Sequence, residues 1–323
     1  MPGRYRIERL CILVALAILA PAIPAQDYPS KPIRLIVTTP PGGLVDLLGR
    51  MLALPLGERL AQPVIVENRS GGTTSIGVET VVRAPADGTL LLIGTSEMTM
   101  LPALKKSYPY DPLRDMTPVA LVANSWTVFA VNPKVPANSL PELVSYAKTH
   151  PGAIRYGTNG VGSSLHIVVE LLRMKTGIDL VHVPYKGGAQ AAVDAVSGQI
   201  EMASLGIASS APRRSQLRLL AQTGPTRHPL LAEVPTTAEL GMPEVTMNTW
   251  FGLMAPANLP PAIVARLERD VELVTQDRAF KEKLFGIGCD VSWMAHAAFA
   301  SYIADESRKW ARVIPAVGIK PED

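Results

Sequence analysis

Ile33-Arg-Leu-Ile-Val-Thr-Thr-Pro-Pro-Gly-Gly-Leu-Val-Asp46 decides how the chain is read. Ile33 to Val37 is a short apolar run of β-branched character, and the next apolar residues, Leu44, Leu47, Leu48, Met51 and Leu52, follow a helical period. Pro40 and Pro41 restrict the approach to the turn between them, while Gly42 and Gly43 have no Cβ and let a ligand come close to backbone N–H groups. A helix that starts here leaves its first amides unpaired and partially positive, an end that readily holds a carboxylate.

The same design returns along the chain. Pro63 to Glu67 and Thr89 to Ile93 are apolar strands separated by a helical stretch from Ser75 to Arg83. Val119 to Val131 is a β-rich run interrupted by Asn124 and Ser125, and Ser139-Leu-Pro-Glu142 fits a capping box. Ile154 to Tyr156, the Gly/Ser/Thr turn Gly157 to Ser164 and a helix to Gly177 repeat the opening unit. Strands at Leu180 to Val183, Ile200 to Leu205, Leu217 to Gln222 and Trp250 to Ala255, with helices at Gln190 to Ser197, Ile263 to Val274, Ala279 to Phe285 and Ala297 to Val313, complete the pattern. Alternating strands and helices predict helix-covered, largely parallel α/β sheets.

At 323 residues and 47% apolar content the chain can fill two cores. Residues 1–25 carry Arg4, Arg6 and Arg9, an uncharged run from Leu10 to Ala20 and small residues ending Ile23-Pro24-Ala25, the layout of a secretory signal peptide. Export to the periplasm is expected, with a mature start near Gln26. Loss of three arginines and Glu8 lowers the formal charge from +3 to about +1, so neither nucleic acid nor a membrane surface is an expected partner. Cys11 leaves with the leader, and Cys289 remains as a buried structural thiol without a disulfide partner.

Enzyme motifs are missing. Gly94-Thr-Ser96-Glu-Met98 fails the nucleophile-elbow pattern at its last position, and Ser163 and His166 lie three residues apart without an evident acid to orient the imidazole. Five scattered histidines give no metal spacing, and no nucleotide fingerprint is present, so neither a catalytic residue, a metal nor a cofactor is expected.

Tyr28-Pro-Ser-Lys-Pro-Ile-Arg-Leu-Ile-Val37, Pro40-Pro-Gly-Gly43 with Asp46, Pro63-Val-Ile-Val-Glu-Asn-Arg69, Ala84-Pro-Ala-Asp-Gly88, Tyr110-Asp-Pro112, Gly162-Ser163 with His166, Val181-His-Val-Pro-Tyr-Lys-Gly187, Val234-Pro-Thr236, Trp250-Phe-Gly252 and Gly318-Ile-Lys-Pro321 resemble the tripartite tricarboxylate transporter receptors, also called Bug receptors. The resemblance implies a type II periplasmic-binding-protein fold, two α/β lobes joined by crossing strands with a small mono- or dicarboxylate and ordered water in the cleft. Lobe 1 would comprise residues 26–123 and 224–323, and lobe 2 residues 124–223.

Carried over by position, the implied ligand contacts are Pro41, Gly42, Gly43, Leu44, Val45 and Asp46 in the first loop and Thr95, Ser96 and Glu97 in the next. In the second lobe they are Thr158, Asn159, Gly160, Ser163, Ser164, His166, Tyr185, Lys186 and Leu205. Leu44-Val45 replaces a usual Ser-Thr and Leu205 a usual Asp, which predicts a more apolar pocket and argues against an amino-acid ligand. Taken on their own chemistry, Asp46 reads as a helix-start residue, His166 as a structural hydrogen-bonding group, His182 as core, and Glu97 as an outward-facing carboxylate. The expected partner is a membrane permease of the tripartite type served by a monomeric receptor. The alternatives are a ligand sensor that presents its closed form to a signalling partner, or a hydrolase using Ser163 and His166.

Overall fold

The computed structural model describes residues 28–104 and 108–319, so the leader, with Cys11, and Lys320-Pro321 of the last motif lie outside the described residues. Strand β1 (Ile33–Val37) is sandwiched in parallel between β2 (Val64–Asn68) and β3 (Leu90–Thr95). Being central, it is buried along its length except at Arg34, which is exposed and pairs with Glu67 of β2. Ile33, Leu35 and Val37 pack towards helix α1 (Leu44–Leu60), while Ile36 packs on the opposite face with Val78 and Val81 of α2 (Ser75–Val82). Helix α1 begins at Leu44, the first residue of that apolar period, and continues through Pro55.

The lobes share one strand. β4 is unbroken from Met116 to Val131, across the Asn124-Ser125 interruption expected from sequence. Its first part pairs antiparallel with β9 (Asn248–Pro256) and β10 (Asp290–Met294). From Thr127 onwards it pairs with β7 (Met202–Gly206) and β8 (Arg218–Gln222) instead. Beyond β7 lie the parallel strands β5 (Arg155–Thr158) and β6 (Val181–Pro184). The sheet order is therefore β2-β1-β3-β9-β4-β7-β5-β6, with β8 and β10 beside β4.

In the second lobe α4 (Leu140–Thr149) and α5 (Ser164–Thr176) cover one face and α6 (Gly188–Ser197) the other. Half of the expected capping box forms: Ser139 accepts from the Glu142 amide, while the Glu142 carboxylate reaches past the cap to accept from the Asn138 amide.

One boundary differs from expectation. The chain does not rejoin the first lobe at residue 224, because Met242, Val245 and Met247 sit in the second-lobe core; the crossing back is β9. The segment before it has neither helical nor strand periodicity, so its allegiance rests on tertiary packing. Helices α8 (Pro261–Gln276) and α9 (Arg278–Gly286) then close the first lobe, and α10 (His296–Ala316) serves both. Phe299 and Ile303 pack with Trp250, whereas Trp310 and Ile314 belong to the second-lobe core. Two further elements carried no readable pattern. Helix α3 (Glu97–Leu104) is almost entirely buried and contains Pro102, and β10 is a half-buried edge strand. The short helix α7 (Ile207–Ser210) follows β7.

Among the described residues no helix is long and apolar enough to cross a membrane. Cys289 is fully buried, and that burial pushes its thiol up to about 12. Peptide mapping after treatment with a thiol reagent at neutral pH should find Cys289 unlabelled in the native protein and fully labelled in denaturant. A second expectation concerns Gly252, where an added Cβ would overlap the Phe299 ring and approach the Ala120 carbonyl. Gly252→Ala should cost about 1–3 kcal/mol in a denaturant titration.

Candidate functional site

The parallel strands of each lobe end towards the other lobe, and the loops after them carry the residues singled out by sequence. In the first lobe Gly42 adopts φ +81, a left-handed conformation that favours glycine. Gly43 is the N-cap of α1, and a Cβ there would meet the Thr39 side chain and the Pro40 carbonyl. Neither glycine amide is left for a ligand: Gly43 N donates to Pro40 O at 3.0 Å and Gly42 N to Asp46 Oδ2 at 2.9 Å.

Asp46 is thus a structural acceptor, as its helix-start position suggested. It is buried and also takes Asn68 Nδ2 at 2.9 Å and Arg50 Nε at 3.0 Å. Burial pushes its pKa up, but hydrogen bonds from Arg50, Gly42 and Asn68 prevail and hold the carboxyl below its ordinary range. The first-turn amides of Leu44 and Val45 have no acceptor within the helix, whereas the next, Asp46 N, donates to Thr39 Oγ1 at 3.2 Å. The side chains of those two residues pack on the first-lobe core, so the apolar pocket lining expected from them is corrected; Pro41 is exposed. Beneath the helix end, Thr95 shares the strand face of Leu91 and Ile93, which pack under α1. Its hydroxyl is buried and has no partner among the described residues.

In the second lobe Gly160 and Gly162 have φ of +122 and +74, and Ser163 caps α5 by accepting from His166 N at 3.3 Å. The Ser163 hydroxyl donates to Gly160 O at 2.8 Å, and His166 Nδ1 accepts from Gly162 N at 3.1 Å. The serine and the imidazole are therefore each committed to the loop, and the nucleophile–base pair weighed from sequence does not assemble. His166 stacks on His182 at 4.0 Å, which stacks on Tyr156 at 4.9 Å. Thr158 Oγ1 binds His182 Nε2 at 2.7 Å, and Tyr156 donates to Glu170 at 2.6 Å. Burial pushes both histidines down to about 4, aided by Arg173 at His166 and by His166 at His182.

Not every expected contact converges. Leu205 packs against Ala191, Ala192 and Ala195 on the α6 side, so its side chain is corrected from cleft to core. The Tyr185 hydroxyl donates to Asp194 at 2.7 Å, away from α5, while Lys186 is exposed. Asn159 keeps a buried Oδ1 without a partner among the described residues.

Glu97 is the largest correction. It is 5% exposed rather than outward-facing. Its Oε1 accepts from Ser164 N at 3.2 Å and Ser164 Oγ at 3.0 Å, and Ser96 Oγ lies 3.4 Å from its Oε2. Thr249 Oγ1, on the returning strand β9, donates to Ser164 Oγ at 3.1 Å. Thr73 Oγ1 adds a longer contact to Val161 O at 3.4 Å. Sequence reasoning missed Thr249 and Thr73, and also Ser204 and Thr127. Ser204 and Thr127 are fully buried on the strand face of Phe129, beneath α5, and their hydroxyls have no partner among the described residues. Only the glycine-rich neighbourhood of Thr73 offered a signal; the others are small polar residues inside apolar strands. A shallow apolar hollow lined by Leu54, Gly57, Ala61 and Val64 lies on the outer side of α1 and β2, away from these groups.

The profile of the tripartite tricarboxylate transporter family receptor matches residues 48–319. Protein BugT of Bordetella pertussis is 34% identical over 313 residues, 96% of each chain. Among solved structures, R. palustris Rpa4515 with adipate is 31% identical with a TM-score of 0.86, over 91% of this chain and 100% of that one. MatC from Rhodopseudomonas palustris with bound malate is 26% identical with a TM-score of 0.82, over 89% and 100% respectively.

The stacked histidines make stability pH-dependent. In the unfolded chain they protonate near 6.5, whereas the folded protein keeps them neutral until about 4, so the unfolded state binds more protons in between. Stability is full above the unfolded value and should fall as the pH drops from 6.5 towards 4. His182→Gln should flatten that slope in melting curves taken across the window.

Proposed function

The chain belongs to the tripartite tricarboxylate transporter receptor family, and from that premise we propose that it captures a small carboxylate between the ends of α1 and α5 and delivers it to a membrane permease. Receptors of this family are periplasmic solute-binding proteins rather than enzymes. One observation carries the ligand reading. Two helix N-termini, one from each lobe, lie at the strand ends together with the buried, unpartnered hydroxyls of Thr95, Thr127 and Ser204. Such an end favours an anion, and uncharged donors hold it without a fixed counter-charge. The acids bound by the two R. palustris relatives support the same class.

On this reading the Leu44 and Val45 amides grip the carboxylate, Thr95 donates to it, and Asn159 meets the ligand from the second lobe through ordered water. The acid makes its full set of contacts only when both lobes are engaged, so binding stabilises the closed arrangement that a permease would recognise. A micromolar ligand supplies roughly 8 kcal/mol for capture and closure together. The receptor acts as an exported monomer.

Mass spectrometry of small molecules released from gently purified protein should recover a small carboxylic acid, and calorimetry should show that it rebinds. Thr95→Val should weaken that binding by about 10- to 100-fold, the loss of one hydrogen bond to a charged group, while leaving the melting temperature nearly unchanged. Turnover of the recovered compound, or unaltered binding by the variant, would reject this reading.

A further inference from the structure

The end of α5 already holds a carboxylate belonging to the protein. Glu97 reaches it from the first turn of α3, where its negative charge is also favoured by that helix's own dipole. Ser164, the first residue of α5, gives both its amide and its hydroxyl to Glu97 Oε1. Thr249 points its hydroxyl at the same serine, completing a chain from Thr249 through Ser164 to Glu97. Among the described residues the hydrogen-bond partners of Glu97 are Ser96 and Ser164, both uncharged. Oε2 is the less engaged oxygen, with Ser96 as its long-range donor.

We propose that Glu97 determines specificity by excluding a second ligand carboxylate from the α5 end, so that the receptor takes monocarboxylates bearing an uncharged, preferably hydroxylated, far end. This rests on the carboxylate-capture reading and narrows it. The acid group goes to the α1 end, where Leu44, Val45 and Thr95 offer donors and Asp46 is neutralised by Arg50. A dicarboxylate spanning the gap would bring its other carboxylate against Glu97 in a water-poor junction, where like charges repel far more than in bulk water. A hydroxyl in that place donates to Glu97 Oε2 instead. The buried hydroxyls of Thr127 and Ser204 add neutral partners on the same side.

The test uses calorimetry of the purified receptor with acids of matched length: hexanoate, ω-hydroxyhexanoate and adipate, then butyrate, its ω-hydroxy derivative and succinate. The wild type should prefer the monocarboxylates over the diacid of the same length by at least about tenfold, with the hydroxy acid tightest. Glu97→Gln keeps the shape and an acceptor for Ser164 but removes the charge, and should bring the ratio towards unity chiefly by tightening the diacid. Equal or preferred binding of the diacid by the wild type overturns the assignment, as does an unchanged ratio in the variant. The wild-type ratio decides alone if Glu97→Gln fails to fold. Absence of binding by every acid, together with no acid recovered from the purified protein, would instead remove the capture reading itself.

Discussion

Backbone hydrogen bonding along β4 is the constraint on which the molecule depends. Its sixteen residues pair on both sides throughout most of their length, first with β9 and β10 and then with β7 and β8. A strand so placed must be apolar on both faces, which explains Val119 to Val131, and it must change partners somewhere. The change falls between Trp126 and Thr127, where Thr223 Oγ1 accepts from the Thr127 amide and Ser125 donates to Gly288 O. Small hydroxyl residues satisfy backbone groups at the point where one ladder ends and the next begins.

From that junction the positions of α1 and α5 follow. Each helix follows a parallel strand whose end lies near the crossing, so each presents its N-terminus towards the other lobe. The two ends then diverge chemically. At α1 the protein consumes the glycine amides internally through Asp46 and Pro40, leaving the next two amides without an acceptor in the helix. At α5 it brings an acid from the opposite lobe.

The strands and most helices were legible because apolar periodicity and caps are local: Ser139-Leu-Pro-Glu142 and Gly177 declare a helix start and stop without reference to the rest of the chain. Helix α3 was not, since a segment buried nearly all round has no periodic contrast, and Pro102 argues against it. The loops of the site were found from glycine and serine chemistry, but the direction of each polar group was not. Glu97 looks like a surface residue until tertiary contacts put α3 against the second lobe. The hydroxyls of Ser204 and Thr127 are hidden among Met, Ala, Val and Phe. Leu205 occupies a position that a local reading assigns to the cleft, yet strand alternation turns it to the α6 face.

Helix α10 gives the two halves a second connection besides the crossing strands. It is anchored by Phe299 and Ile303 in one core and by Trp310 and Ile314 in the other, with the Trp310 indole fixed to Glu306 at 2.8 Å. A rod clamped at both ends resists hinging about a single point. Relative movement of the halves must therefore bend it or slide its packing.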